Sequence, residues 1–313
     1  MANATSSTPC HIPVLSKEVL KGLQAKAGGA YVDCTVGLGG HAKAILQNIS
    51  PGGRLLGIDM DPEALKIANN RLKDFGDAVI LVNDNFTNLE AICSKYKFQP
   101  VDGVLFDLGV SSWQLDSAQR GFSFQSEAPL DMRFNPGQGP SAAEIINSYP
   151  EQELIRIMQE YGEERHSRQI ASLIVESRPI YTTSELALLI KHALRYRYSK
   201  INPATKTFMA FRIAVNHELE NLKTTLEQVT KILRSQGRLV VISYHSLEDR
   251  IVKQFMKRES SDCLCPPEAL ICRCGHKASL RLIAKKVIKP SLPEIENNPR
   301  SRSGKMRVAE YLG

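Results

Sequence analysis

Four strand-like runs with helix-like runs between them open the chain, and this alternation restricts the fold more than any other feature. The runs are Tyr31–Thr35, Arg54–Ile58, Val79–Val82 and Val101–Phe106, with helical patterns over His41–Asn48, Pro62–Leu72 and Asn88–Lys95. Strands alternating with helices predict an α/β fold on a parallel sheet, covered on both faces. The second helix has a defined start. Asp61 can cap free amides while Pro62 fills the first turn, where no donor is needed.

After Phe106 the alternation stops. Helical patterns alone follow, at Ala142–Ser148, Glu151–Tyr161, Glu164–Glu176 and Ser184–Arg195. A long helix is expected near Pro203–Leu233. Strand grammar then resumes with Arg238–Tyr244 (RLVVISY), Leu280–Ile288 and Lys305–Tyr311. The expected organisation is a first α/β part over residues 1–112, an inserted all-helical domain over 113–205, and a second α/β part over 206–313 with a basic end. Insertions of this kind sit at the carboxyl ends of strands, where such sheets bind ligands.

Four features stand at those strand ends. Asp33-Cys-Thr-Val-Gly37-Leu-Gly39-Gly40-His41 turns from strand to helix, and glycines let the backbone approach a ligand with no Cβ in the way. Asp59 follows about twenty residues after the glycines, where a nucleoside site needs a carboxylate for the ribose hydroxyls. Asp84-Asn85-Phe86 offers a polar edge and a stacking face for adenine. Asp107 leads into Leu108-Gly109-Val110-Ser111-Ser112. A pyrophosphate binder prefers G-x-G-x-x-G. Here the order is G-x-G-G-H, and Asp33 before the turn repels phosphate but suits an ammonium group. S-adenosylmethionine therefore fits better than NAD.

These motifs, with longer runs elsewhere, resemble the ribosomal small-subunit methyltransferase H family along nearly the whole chain. The runs are GLGGHAKAIL (37–46), DLGVSSWQLD (107–116), RGFSF (120–124), PLDMRF (129–134), YGEER (161–165), NPATKTFMAFRIAVN (202–216), SYHSLEDRIV (243–252) and NPRSRS (298–303). The resemblance implies a class I, Rossmann-like S-adenosylmethionine-dependent methyltransferase sheet carrying a helical insert. It implies methylation of N4 of a cytosine in 16S rRNA, nucleotide 1402 in the family's usual numbering. It implies cofactor contacts at Gly39, Gly40, His41, Asp59, Phe86, Asp107 and Gln114; the last has no signal of its own in the sequence. The rRNA would be met within the small subunit or its precursor, and a homodimer stays open. Tyr244 stands where the family often has Phe, and Trp113 where a small residue or Pro is expected; neither is expected to touch the chemistry.

Attack from C5 of cytosine needs a covalent cysteine, and neither LFDLGVSS nor ISYHS supplies one, which argues for N4. Asp107 and backbone carbonyls near Gly109 are the candidates for holding the amine. His245 reads better as a structural histidine at a strand end than as a catalytic one. Phe122 and Phe124 suit a stacked base, and suit the core of the insert slightly better.

Charge points to the acceptor. The net charge of +7 is matched by residues 273–313 alone, with ten Lys or Arg against three Glu. Lys191, Arg195, Arg197, Lys200, Lys206 and Arg212 form a second basic stretch around Tyr196 and Tyr198, a mixture suited to single-stranded or looped RNA. A solvated helix face and a basic tail are the plainer alternative. No run of eighteen apolar residues spans a membrane. The N-terminus has no Lys or Arg before Lys17 and no apolar core, so a cytoplasmic protein is expected.

Of seven cysteines, Cys10, Cys34 and Cys93 are scattered, and Cys34 reads as core. Cys263-x-Cys265-x6-Cys272-x-Cys274 could hold a tetrahedral zinc, although knuckles usually space their ligands C-x2-C; reduced loop cysteines are the alternative. Two rival functions remain. A nicotinamide-dependent dehydrogenase needs a hydride-transfer site, and none is found. A catalytically inactive RNA-binding ribosome assembly factor would not need every strand-end motif intact.

Overall fold

A computed structural model describes residues 12–117, 119–194, 202–266, 269 and 271–313. The chain divides into two compact units, residues 1–109 with 219–313, and residues 110–218.

The first unit begins with α1 (Ser16–Leu23), β1 (Ala30–Asp33), α2 (Gly40–Ile49), β2 (Arg54–Asp59), α3 (Pro62–Leu72), β3 (Val79–Asn83), α4 (Leu89–Lys95) and β4 (Val101–Asp107). The second unit contains α5 (Ser112–Asp116), α6 (Ala142–Ser148), α7 (Glu151–Gly162), α8 (Ser167–Glu176), α9 (Thr183–Ala193) and α10 (Ala204–Asn216). The chain then supplies α11 (Glu218–Ile232), β5 (Leu233–Ser243), α12 (Ser246–Glu259), β6 (Leu280–Leu282), α13 (Leu292–Asn297) and β7 (Lys305–Tyr311). Among the described residues no helix is long and apolar enough to cross a membrane.

The seven strands of the described residues form one sheet in the order β3-β2-β1-β4-β5-β7-β6. The first five run parallel, and β7 pairs antiparallel with both β5 and β6. This is the Rossmann-like α/β fold expected from the alternation. Its strands are apolar on both faces, as a sheet covered by helices requires. Val32, Leu56, Val104, Phe106, Leu239 and Val241 pack with Ile92 of α4, Leu226 of α11 and Phe255 of α12. Their neighbours Tyr31, Leu55, Leu105, Val240 and Ile242 pack with Val19, Ile45 and Leu65 of α1–α3. Successive residues point to opposite faces of a strand, so one stretch of sequence builds both layers. Each fully buried aliphatic side chain contributes ~2 kcal/mol. Cys34 belongs to the first layer, as expected of a core cysteine.

The second unit has its own core, in which Leu154, Met158, Ile170, Ile174, Leu186 and Ile190 meet Phe208 and Phe211. Two loop motifs are built into it. Gly121 has φ +69, and a Cβ there would lie 2.2 Å from the Pro129 carbonyl oxygen, so only glycine fits. Asn216 donates through Nδ2 to Met132 O (2.7 Å) and accepts through Oδ1 from Phe134 N (2.7 Å). Phe122 stacks on Phe134 and Phe124 meets Phe208 edge-on, which gives both phenylalanines the core role.

The structure departs from the sequence reading in several places. The expected single helix near Pro203–Leu233 is two, because His217 caps α10 at φ 50, a left-handed conformation that ends the helix. The compact helical unit is wider than the expected 113–205: Phe208, Phe211 and Val215 of α10 pack into its core, which carries the boundary to Glu218. The strand expected over Leu280–Ile288 is β6 alone, plus one bridge from Ile288 to Met306. Residues 195–201 of the basic stretch, with Arg195, Tyr196, Arg197, Tyr198 and Lys200, lie outside the described residues, as does Cys10.

Candidate active site

The parallel strands of the first unit end in acids. Asp33 closes β1, Asp59 closes β2, Asp84 follows β3, and Asp107 closes β4. Two glycines in left-handed conformations, Gly37 (φ +50) and Gly39 (φ +78), turn the chain from β1 into α2. A Cβ on Gly40 would lie 2.9 Å from Pro13 Cγ, so Gly40 is needed for close packing as the helix begins.

Hydrogen bonds tie these ends together. Gly37 N donates to Asp59 Oδ2 (2.7 Å) and Asp61 N to Asp59 Oδ1 (2.9 Å). Each oxygen of a carboxylate can accept a second bond, so Asp59 keeps acceptor capacity for a diol. Thr35 N donates to Asp33 Oδ1 (3.1 Å), and Asp107 N donates to Thr35 Oγ1 (2.6 Å), linking β1 to β4. Tyr244, just beyond β5, donates from Oη to Asp107 Oδ1 (2.8 Å). His41, in the first turn of α2, places Nε2 3.5 Å from Asp107 Oδ2. Asp61 caps α3 as expected, accepting from Glu63 N and Ala64 N.

Burial sets the electrostatics. Asp33 is 1% exposed, and desolvation pushes its carboxyl up to about 7, against the opposing pull of His41. Desolvation likewise raises Asp59 to about 6, although bonds from Asp61 N and Gly37 N oppose it. Burial alone would lower His41, but the carboxylates of Asp107 and Asp33 outweigh it and its pKa is raised. Burial and the neighbouring Asp107 carboxylate raise the Tyr244 phenol well above its ordinary value. Neither Asp33, Asp59 nor Asp107 pairs with a Lys or Arg among the described residues. With His41 as their cationic neighbour and no Lys or Arg among the described residues, these acids suit a cation better than a pyrophosphate.

Of the expected cofactor residues, Gly39, Gly40, His41, Asp59, Phe86 and Asp107 all stand at or just after the strand ends of the first unit. Phe86 begins the turn after β3 and meets Phe106 edge-on, with ring centroids 5.8 Å apart. Asp84 is occupied locally, its Oδ1 accepting from Asn85 N (2.7 Å) and Asn88 Nδ2 (2.8 Å). Gln114 belongs to the second unit. There it forms a reciprocal cap with Ser111: Gln114 Oε1 accepts from Ser111 N (2.9 Å), and Gln114 N donates to Ser111 Oγ (3.2 Å).

His245 has the structural job expected of it. It caps α12, accepting at Nδ1 from Glu248 N (3.4 Å), while Glu248 Oε2 accepts from Tyr244 N (2.9 Å). Thr35 and Tyr244 are the two residues of the site that the sequence reading missed. Tyr244, expected to stand apart from the chemistry, is instead hydrogen-bonded to Asp107. Arg212 is also not the free phosphate ligand expected of the basic stretch: it pairs with Glu218 through Nε (2.7 Å) and an Nη atom (2.9 Å).

Known proteins resemble the chain along nearly its whole length. A model of the MraW methylase family matches residues 8–312. The ribosomal RNA small subunit methyltransferase H of Dehalococcoides mccartyi (strain ATCC BAA-2266 / KCTC 15142 / 195) is 57% identical, over 96% of this chain and 86% of that protein. The protein of the same name from Clostridium botulinum (strain Loch Maree / Type A3) is 49% identical, over 96% of this chain and 99% of its own. Among solved structures, an rRNA methylase from Streptococcus thermophilus superposes with TM-score 0.42 at 12% identity, covering 97% of this chain and 99% of that one.

Proposed function

The chain belongs to the MraW methylase family, and we propose that it transfers a methyl group from S-adenosylmethionine to N4 of a cytosine in small-subunit ribosomal RNA. The names of the relatives support the rRNA substrate. The observation that carries the reaction is Asp107: a half-buried carboxylate at the end of β4, held by Tyr244 on one oxygen and facing His41 with the other.

The residues present fit the cofactor. Gly39 and Gly40 shape the turn into α2, Asp59 would accept from the ribose hydroxyls, and Phe86 would offer a ring to adenine. The buried acid Asp33 suits the ammonium group, and His41 lines the same turn. When bound, S-adenosylmethionine supplies a methyl group on an electrophilic sulfonium centre.

The chain's own task is then to position the acceptor and exclude water. The lone pair of a cytosine amine is delocalised into the ring. Acceptors that hold its N–H groups expose that lone pair, and Asp107 with a carbonyl near Gly109 can do so. As N4 gains carbon it loses a proton, which passes to Asp107 and on to water. The Tyr244 hydrogen bond keeps the carboxylate oriented. Among the described cysteines of the sheet, Cys34 and Cys93 offer no covalent route: both are buried in its apolar layer, where burial raises both thiols. A target base must leave its stack to enter such a site.

Incubation of the full chain with small ribosomal subunits and methyl-labelled S-adenosylmethionine tests the reading. Label in the RNA is expected. Thermal stabilisation by NADH and not by S-adenosylmethionine would overturn it.

A further inference from the structure

Four sulfurs converge far along the chain from the strand-end acids. Between α12 and β6 the chain runs from Glu259 to Leu280, and its two ends are tied together. Ser279 N donates to Glu259 O (2.8 Å), and Ser279 Oγ donates to Glu259 Oε2 (2.7 Å). An excursion this long, without helix or strand among its described residues, is uncommon in a compact unit and needs something to order it. Among the described residues of this segment Leu264 is 45% and Ile271 71% exposed, so neither orders it by burial. The cysteines do converge, however. Cys263 Sγ lies 3.3 Å from Cys272 Sγ and 3.7 Å from Cys274 Sγ, with Cys272 and Cys274 3.6 Å apart. With Cys265 included, all four sulfurs lie within 4.8 Å of one another.

We propose that Cys263, Cys265, Cys272 and Cys274 hold one zinc ion in a tetrahedral, all-thiolate structural site that fixes the excursion between α12 and β6. Thiolates bound to zinc at ~2.3 Å and arranged at tetrahedral corners lie ~3.8 Å apart, close to the separations found. A disulfide needs sulfurs at ~2.05 Å, so these sulfur pairs are not disulfide bonds. An iron–sulfur cubane spreads its thiolates beyond the 4.8 Å that encloses these four.

Backbone amides complete the sulfur environment. Leu264 N donates to Cys274 Sγ (3.3 Å), Cys265 N to Cys263 Sγ (3.4 Å) and Arg273 N to Cys265 Sγ (3.4 Å). Such bonds delocalise the charge of bound thiolates. The C-x-C spacing is no obstacle. Neither arm is helical, and residues two apart in extended chain share a face, so each arm can present both sulfurs to one ion. Binding releases one proton from each thiol and leaves a site of charge −2, with Arg273 and Lys277 on the same loop to offset it.

Metal analysis of the full chain purified without chelator tests the proposal. Close to one zinc per chain is expected, and exchange with Co2+ should bring tetrahedral cobalt–thiolate absorption. The Cys263→Ser/Cys272→Ser double variant should lose the metal while binding S-adenosylmethionine as before. If that variant fails to fold, mercurial titration of the wild type decides instead: zinc should leave in step with modification of the four thiols. Less than a tenth of a zinc per chain with freely reacting thiols, stoichiometric iron, or zinc retained after those thiols are modified would overturn the proposal.

Discussion

Tyr244 and Asp107 are joined by a 2.8 Å hydrogen bond from the phenol Oη to the carboxylate Oδ1, which connects the ends of neighbouring strands β5 and β4. A phenol whose pKa is raised keeps its proton and donates it, so Tyr244 orients the Asp107 carboxyl group. Removing the donor and removing the carboxylate should then differ in degree. Tyr244→Phe is expected to slow methyl transfer about 10-fold, the value of one hydrogen bond to a charged group. Asp107→Ala should cost about 100-fold or more. Single-turnover rates at saturating S-adenosylmethionine, with calorimetry reporting cofactor affinity separately, check both. Full activity in Asp107→Ala would remove the residue from the chemistry.

Asp33 makes stability depend on pH in a stated direction. Its carboxyl is raised from 3.8 to about 7, so the folded chain keeps a proton that the unfolded chain releases. That contribution is complete below pH 3.8 and is lost as pH rises through about 7. His41, Asp59 and Asp107 face the same group and modulate it. Asp33→Asn should therefore match wild type near pH 4 and exceed it at pH 8, by on the order of 2 kcal/mol without cofactor. The same variant should bind S-adenosylmethionine poorly. Thermal midpoints of both proteins across this range test it, and a constant difference would contradict it.

Gly39 and Gly28 separate strain from function. Both have φ near +75 to +78, so alanine at either costs ~1–2 kcal/mol. At Gly28 nothing lies within 4 Å of the added Cβ, whereas at Gly39 the Cβ meets Leu72 at 3.3 Å within the turn from β1 to α2. Both variants should lose stability. Only Gly39→Ala should weaken S-adenosylmethionine more than 10-fold, measured by equilibrium binding. Equal affinity in the two would take the turn out of the cofactor site.

The basic C-terminal segment supplies a salt-dependent term. Lys285, Lys286 and Lys289 are exposed. Converting all three to Gln should weaken RNA binding and flatten its salt dependence, by ~0.7 in log–log slope for each phosphate that is no longer neutralised. Filter binding across a salt series reads this directly. An unchanged slope would place the RNA elsewhere.

Much of the fold and the glycine turn after β1 is legible in the sequence because it is local. Asp61 and Pro62 announce α3, and glycines followed by an acid mark the turn after β1. The alternation of buried residues in β1, β2 and β4 gives both layers of the core. What is not legible depends on partners distant in sequence or on backbone choices without a marker. The Tyr244–Asp107 bond spans 137 residues. His217 breaks the α10–α11 run with a left-handed turn but carries neither Gly nor Pro to signal it. Arg212 reads as one more cation of a basic stretch, yet Glu218, six residues on, is its partner. The left-handed Leu15 likewise sets the start of α1, and no sequence signal marks that helix.

The most direct measurement is the chemical identity of the methylated nucleoside. Small ribosomal subunits lacking the modification are treated with the full chain and methyl-labelled S-adenosylmethionine, digested to nucleosides and resolved by mass spectrometry. Label recovered as N4-methylcytidine is the expected result, and it should fall about 100-fold or more with Asp107→Ala. Label on cytosine C5, on a ribose oxygen or on another base would contradict the assignment of Asp107 as the group that holds the cytosine amine.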